Sequence, residues 1–333
     1  MTTTVHRHRV DALSPGTRAA ALVGVLTVLI ALVAIAFALP AARSGPHDVP
    51  VGAAGPQAAG GQIAQMLEHQ APGAFEVSYF PGEDALRDAI ADREVYGGLV
   101  LPDRPGSGPK MLIATGASPA VAQLLTQLGT GIGAKLGTAV PIEDVAPPTA
   151  DDPRGTGLAA SALPITLAGI LPAVAFLLVL PGRPVLQTGS ALAFAAVCAL
   201  TVTALLRYVM GSIDQNFWGV AAALTLGIAA ALLFLLGLGS VFGRIGLATG
   251  VLLALLVGNP LSGLTSAPEM LPAGWGDVGQ LLPQGATATL LRSAAAFGGA
   301  GSATAILVLA CWAIAGVALI GVAALRTAEF RSR

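Results

Sequence analysis

Charge is what this sequence has least of. Of its 333 residues, 11% are Asp, Glu, Lys or Arg, against about 25% in an ordinary soluble domain. So few charges do not cover a water-facing surface, which excludes a single soluble globular domain. Disorder is excluded too, because 54% hydrophobic residues provide ample apolar surface to bury. The net charge of −1 offers no basic footprint for a nucleic acid, so none is expected as a partner. Cysteine is almost missing: Cys198 and Cys311 each stand inside an apolar run. They read as small packing residues, not as a disulfide framework or a metal site.

The constellations that carry chemistry are lacking as well. There is no Gly-x-Ser-x-Gly elbow and no His–Glu pair at helical spacing, so neither a serine hydrolase nor a metallopeptidase is expected. Gly129–Lys135 reads Gly-Thr-Gly-Ile-Gly-Ala-Lys. A phosphate loop needs Gly before the Lys and Ser or Thr after it, whereas Ala134 and Leu136 stand there. The carboxylates of Glu83, Asp84, Asp88 and Asp92 suit a solvated helix face better than an acid/base pair. His6, Arg7 and His8 suit a basic tail facing anionic lipid better than a metal site. The expectation is a protein without enzymatic activity or cofactor.

Long apolar runs are what the sequence does have. A bilayer core takes roughly 20 apolar residues in a helix. Runs of that kind occupy 19–39, 158–180, 188–206, 217–238, 245–261 and 303–325, which predicts six membrane spans. The first run exceeds the apolar stretch of about 7–15 residues in a signal peptide. Arginine placement sets the orientation. With the 1–18 tail in the cytoplasm, the inner segments hold Arg7, Arg9, Arg18, Arg183, Arg244, Arg326, Arg331 and Arg333. The short outer loops hold only Arg207 and Arg292 as bases. Both termini are therefore expected inside, in a multi-pass protein of the cell membrane, with the 326–333 tail there too.

Between the first two spans, 42–157 carries 13 of the 18 acidic residues and 7 of the 17 basic ones. Its apolar pattern alternates strand and helix periods. Strands are predicted at 49–54, 75–80, 96–101, 111–115 and 139–145, and helices at 57–70, 83–93 and from Ser118 to about Leu136. Ser118 followed by Pro119 is a helix-start signal. This gives a small extracytoplasmic α/β domain inserted into a mainly α membrane protein. Along the spans, small residues recur, with Gly246 and Gly250 the cleanest i, i+4 pair for close helix approach.

The 259–302 stretch before the last span is too apolar for an ordinary loop and too rich in Pro and Gly to cross. Irregular backbone at membrane depth has to be buried in protein or line a wet cavity, so this stretch is expected to be re-entrant. Trp275 stands where an interfacial anchor would, and Glu269 and Arg292 are placed to pair across two short helices.

The order of a short fifth span, Leu271-Pro272-Ala273-Gly274-Trp275, Leu282-Pro283-Gln284-Gly285-Ala286 ending in Arg292, and a last span resembles the ABC-2 type exporter permeases. The large segment after the first span, with Asp48-Val49-Pro50-Val51-Gly52 and Glu94-Val95-Tyr96-Gly97-Gly98-Leu99-Val100, makes it similar to their YhgE/Pip-like (phage infection protein) branch. That resemblance implies a permease half, forming a homodimer or heterodimer and working with a separate cytoplasmic ATPase. It implies export of a hydrophobic or amphipathic substrate, with Asn259, Pro260, Glu269, Trp275, Pro283 and Arg292 at the outer gate. Such permeases usually offer the ATPase a contact helix between spans two and three, where this chain has only Pro181-Gly182-Arg183-Pro184 and a few neighbours. The alternative is a non-transporting membrane protein that displays 42–157 to a cell-wall component, a partner or a phage.

Overall fold

The computed structural model describes residues 14–102 and 108–331. The tail with His6, Arg7 and His8, the tip of the 102–109 turn with Asp103, and the last two residues lie outside the described residues. The chain is mostly helical, 66% of it. Five helices are long and apolar enough to cross a membrane: Pro15–Ala42, Thr156–Val179, Pro184–Tyr208, Phe217–Gly258 and Ala303–Arg326.

Helix α1 (Pro15–Ala42) begins at Ser14, whose hydroxyl accepts from the Thr17 amide at 3.2 Å. Most of its apolar side chains are exposed, as suits a helix whose solvent is lipid; one stripe, Leu29, Val33, Ala36 and Pro40, is half-buried or buried.

The chain then builds a five-stranded sheet in the order β2-β1-β3-β4-β5. Its elements are β1 (Val49–Ala54), α2 (Gln57–Gln70), β2 (Phe75–Phe80), α3 (Glu83–Ala91), β3 (Gly97–Val100), β4 (Lys110–Ile113), α4 (Pro119–Leu136) and β5 (Ile142–Asp144). β1 pairs parallel with β2 and β3, β3 antiparallel with β4, and β4 parallel with β5. The period-2 alternation of strand side chains supplies a core on each face. Val49, Val51, Leu99 and Met111 pack under Leu67 of α2 and Leu125 of α4. Ala54 and Leu112 pack under Leu86 and Ile90 of α3. Gly98 has to be glycine, since a Cβ there would run into the Gly52 carbonyl on the neighbouring strand. The Gly129–Lys135 stretch continues inside α4, so it is no phosphate loop.

The helical part consists of α5 (Thr156–Ala160), α6 (Ala162–Val179), α7 (Pro184–Tyr208), α8 (Phe217–Leu253), α9 (Trp275–Gln280), α10 (Pro283–Ala296) and α11 (Ala303–Arg331). A five-residue π-helical segment, Ala254–Gly258, extends α8. Asp152 holds the start of the bundle. Its carboxylate accepts from the amides of Thr156 at 3.0 Å and Gly157 at 2.8 Å, and from the Ser212 hydroxyl at 2.7 Å. Burial by itself raises this carboxyl, but those hydrogen bonds together hold it below its usual value. One side chain thereby caps a helix and ties it to the α7–α8 turn.

The expected fourth and fifth spans are continuous in secondary structure, which is why five spanning helices occur where six runs were counted. Gly243 breaks that long helix, with φ 62° and ψ −146°, a region essentially reserved for glycine. A Cβ on Gly250 would lie 2.6 Å from a Leu235 methyl. In a straight helix these residues stand about 22 Å apart, at 1.5 Å per residue. The chain therefore doubles back at Gly243, and Gly246 and Gly250 serve this internal contact. α8 also crosses α11 closely: a Cβ on Gly237 would lie 2.7 Å from the Gly316 carbonyl oxygen.

Candidate functional site

The 259–302 stretch is folded and largely buried. A 3-10 turn over Pro268–Met270, then α9 and α10, replace a spanning helix. Proline at the first position of the turn and of α10 costs no backbone bond there, because that N–H has no helical partner. Glycine lets the pieces stack: a Cβ on Gly279 would run into the Leu261 carbonyl, and one on Gly285 into the Gly279 carbonyl.

Broken backbone leaves carbonyls that need donors. Arg292, only 4% exposed, supplies them. One terminal guanidinium nitrogen donates to the carbonyls of Leu264 at 2.8 Å and Ser266 at 3.1 Å, and also to that of Gly263. From the last helix, the Trp312 indole N–H donates to the Leu281 carbonyl at 2.8 Å. Its ring meets Phe234 edge-on at 4.4 Å between centroids. The stretch is thus pinned to both α8 and α11.

The α/β lobe lies against this stretch. The Tyr96 hydroxyl donates to Glu269 Oε2 at 2.7 Å. Backbone amides of Gly45 and His47 donate to the carbonyls of Met270 at 3.1 Å and Glu269 at 2.9 Å. Arg93 crosses to α10, donating from Nη1 to the Thr289 carbonyl at 3.1 Å and to the Ser293 hydroxyl. Its guanidinium lies 5.6 Å over the Phe297 ring. Burial holds Arg93 below the usual arginine value, while Tyr96 and Glu269 pull it back up. Burial, followed by the charge of Glu269, pushes the Tyr96 phenol far above its usual value. Tyr96 is therefore a hydrogen-bond donor at every physiological pH.

Between lobe and loop lies a half-open cavity of about 560 Å³, within the ordinary range for small-molecule sites. Its walls mix Asp48, Arg93, Tyr96 and Glu269 with apolar Val95 and Leu271. It can take a molecule with both polar and apolar parts. No cluster of three or more metal-ligating side chains occurs among the described residues.

The six residues expected at the gate fall into separate places. Glu269 lines the cavity. Asn259 sits at the end of the π-helical segment, where its side-chain oxygen accepts from the Thr166 hydroxyl of α6 at 3.3 Å. Pro260 follows it, half-buried. Trp275 opens α9 and is 37% exposed. Pro283 is buried at the start of α10. The expected Glu269–Arg292 pair does not form, because Arg292 is consumed by loop carbonyls and Glu269 by Tyr96. Sequence reasoning missed Arg93 and Tyr96. Arg93 was expected to end a helix, whereas the helix ends at Ala91 and Arg93 turns left-handed at φ 63°. The run Asp92-Arg93-Glu94 between apolar Ile90 and Val95 was the one available signal. No known family model, curated protein or solved structure matches the chain.

Proposed function

We propose that this chain is a membrane permease subunit of an ABC-2-like exporter, as its layout resembles, and that the 259–302 stretch is its outer gate. The observation that carries the reading is the half-open cavity of about 560 Å³ between that stretch and the α/β lobe. A broken, buried loop roofed by a polar lobe is what a guarded exit requires. In this reading the doubling-back at Gly243 makes six crossings of the membrane. The lobe then stands outside the cell and both termini inside, which agrees with the arginine placement. No Asp, Glu, Lys or Arg lies deep in an apolar run, which favours a hydrophobic or amphipathic substrate over an ion. Two such chains, or this chain and a related one, would form the pathway, and a separate cytoplasmic ATPase would supply the energy.

The test is efflux. Cells overproducing the chain should clear lipophilic fluorescent compounds faster than cells carrying a deletion. The tagged protein should retain an ATPase through gentle purification. Unchanged accumulation across a broad compound panel, with no ATPase retained, removes the reading.

A further inference from the structure

The lobe and the outer stretch meet across a hollow. About 560 Å³ of open space lies where a permanent interface would have side chains. Polar contacts join the two units along one side: Tyr96 to Glu269, Arg93 to Thr289 and Ser293, and two backbone bonds from Gly45 and His47. Beside them Ala267 and Met270 pack into the lobe core under α2 and α4, and Phe297 packs against the core under α3. The hollow leaves the junction incompletely packed, and units joined that way move relative to one another by default.

Arg93 carries one anomaly at this junction. Its left-handed φ of 63° belongs to the end of α3, where the Arg93 amide bonds the Ile90 carbonyl at 3.1 Å and the Glu94 amide bonds the Ala89 carbonyl at 2.8 Å. The anomaly is its Nε, which is buried without an acceptor, and such groups call for a reason. Its other end bonds the opposite unit, and a Cβ on Gly301, at φ 66°, would lie 3.1 Å from the Arg93 Cβ. Lifting the lobe would return Nε to water. The contacts that hold the lobe down therefore work against the cost of that buried, unpaired donor.

We propose that the α/β lobe is a cover over the outer stretch, held shut by Arg93 and by the Tyr96–Glu269 bond, and that releasing these opens the cavity. This rests on the exporter reading only for its purpose: it would be the regulation of that gate. The cover itself is a property of the two units. Removing the Tyr96 hydroxyl frees Glu269, and removing the Arg93 side chain frees α10.

The experiment uses the full chain in nanodiscs with Cys198 and Cys311 replaced by Ala. The reporter is Ala305→Cys, whose site lines the cavity and is 5% exposed. A water-soluble maleimide measures its accessibility. Tyr96→Phe and Arg93→Ala should each speed labelling at least fivefold, and Asp88→Asn on the exposed face of α3 should not. A lock is available in Gly116→Cys with Ala296→Cys. A Cβ at Gly116 lies 2.9 Å from the Ala296 Cβ, a short shift from the roughly 3.5–4.5 Å of a disulfide. Oxidising it should return the Tyr96→Phe rate to the wild-type rate, and reduction should undo that. Wild-type labelling in Tyr96→Phe, or labelling indifferent to the lock, overturns the proposal. If Arg93→Ala fails to fold, those two measurements still decide it. Opening without efflux would remove the exporter reading and leave the cover. Efflux with flat labelling rates would do the reverse.

Discussion

Among single residues, Arg292 has the largest expected effect. Its guanidinium is the donor for three carbonyls of a stretch that makes no ladder of its own. Arg292→Ala strands them in a buried place; the two hydrogens of one terminal nitrogen are shared among the three, so about two bonds to a charged donor are lost, at about 1.5–3 kcal/mol each. Melting of the purified protein should fall by several degrees, and Arg292→Lys should recover only part, because an ammonium lacks the planar fork. Replacing Trp275 by Ala is predicted to act differently. It is partly exposed and makes no side-chain hydrogen bond, so efflux should drop while melting stays near wild type. Equal losses in both readouts would show Trp275 to be structural. The surface of the lobe carries a pH-sensitive group. Arg87 and Lys110 each bridge Glu83 and Glu143, at 2.5–2.9 Å. The hydrogen bonds from Lys110 and Arg87 hold both carboxyls below their usual values. A depressed carboxyl contributes stability above its unfolded value of about 4.3, and loses it as the pH falls through the folded value. Melting of the wild type should therefore fall more between pH 6 and pH 3 than that of Glu83→Gln/Glu143→Gln. A parallel fall in the two proteins would show these bridges to be inert.

Elements were the most legible level of the sequence, because period and capping are local. Val49–Ala54 reads as a strand and Phe75–Phe80 alternates as a half-buried strand does, and both occur over those residues. Ser118 and Pro119 announced α4, and the Ser118 hydroxyl does accept from the Val121 amide at 3.4 Å. What was not legible is which distant groups meet. Tyr96 and Glu269 are 173 residues apart, and no spacing rule links them. Glu269 and Arg292 stood out as charges in an apolar stretch, yet each found a nearer partner than the other. Gly243 shows the same limit at a helix break. The sequence separated the 217–238 and 245–261 runs, but did not show that helical bonding continues up to a single glycine. Its φ and ψ make a sharp prediction. Gly243→Ala places a Cβ in a forbidden region at a cost of about 1–3 kcal/mol. It should weaken the contact of Gly250 with Leu235 and lower the melting temperature. Gly182→Ala, at a turn with φ 68° and open space around it, should cost less. The reverse order would place the critical reversal elsewhere.

Over the whole molecule, contacts and arginines answer two halves of one question. Contacts say which segments share an end of the bundle. The lobe touches the α7–α8 turn through Asp152 and Ser212, and the outer stretch through Tyr96 and Glu269. These three therefore lie together. α5 starts beside Asp152 and leads through Ser161 into α6, which runs 18 residues, about 27 Å at 1.5 Å per residue, so the 180–183 turn lies at the far end. The doubling-back at Gly243 lies there too, because the Gly227 part of α8 packs beside Thr287 of the outer stretch and Gly243 is a further 16 residues along. Both far-end turns carry an exposed arginine, Arg183 and Arg244. In the exporter reading, the bias of arginine toward the cytoplasmic side puts those turns inside and the lobe end, with its excess of carboxylates, outside. In intact cells, a single cysteine at Asp88 on the lobe should react with an impermeant maleimide. One at Arg183 should react only after the membrane is permeabilised. Because the contacts tie the segments of each end together, a reversed result would invert every segment at once. The lobe would then be cytoplasmic, and its cavity would be an entrance on the inner face instead of an exit.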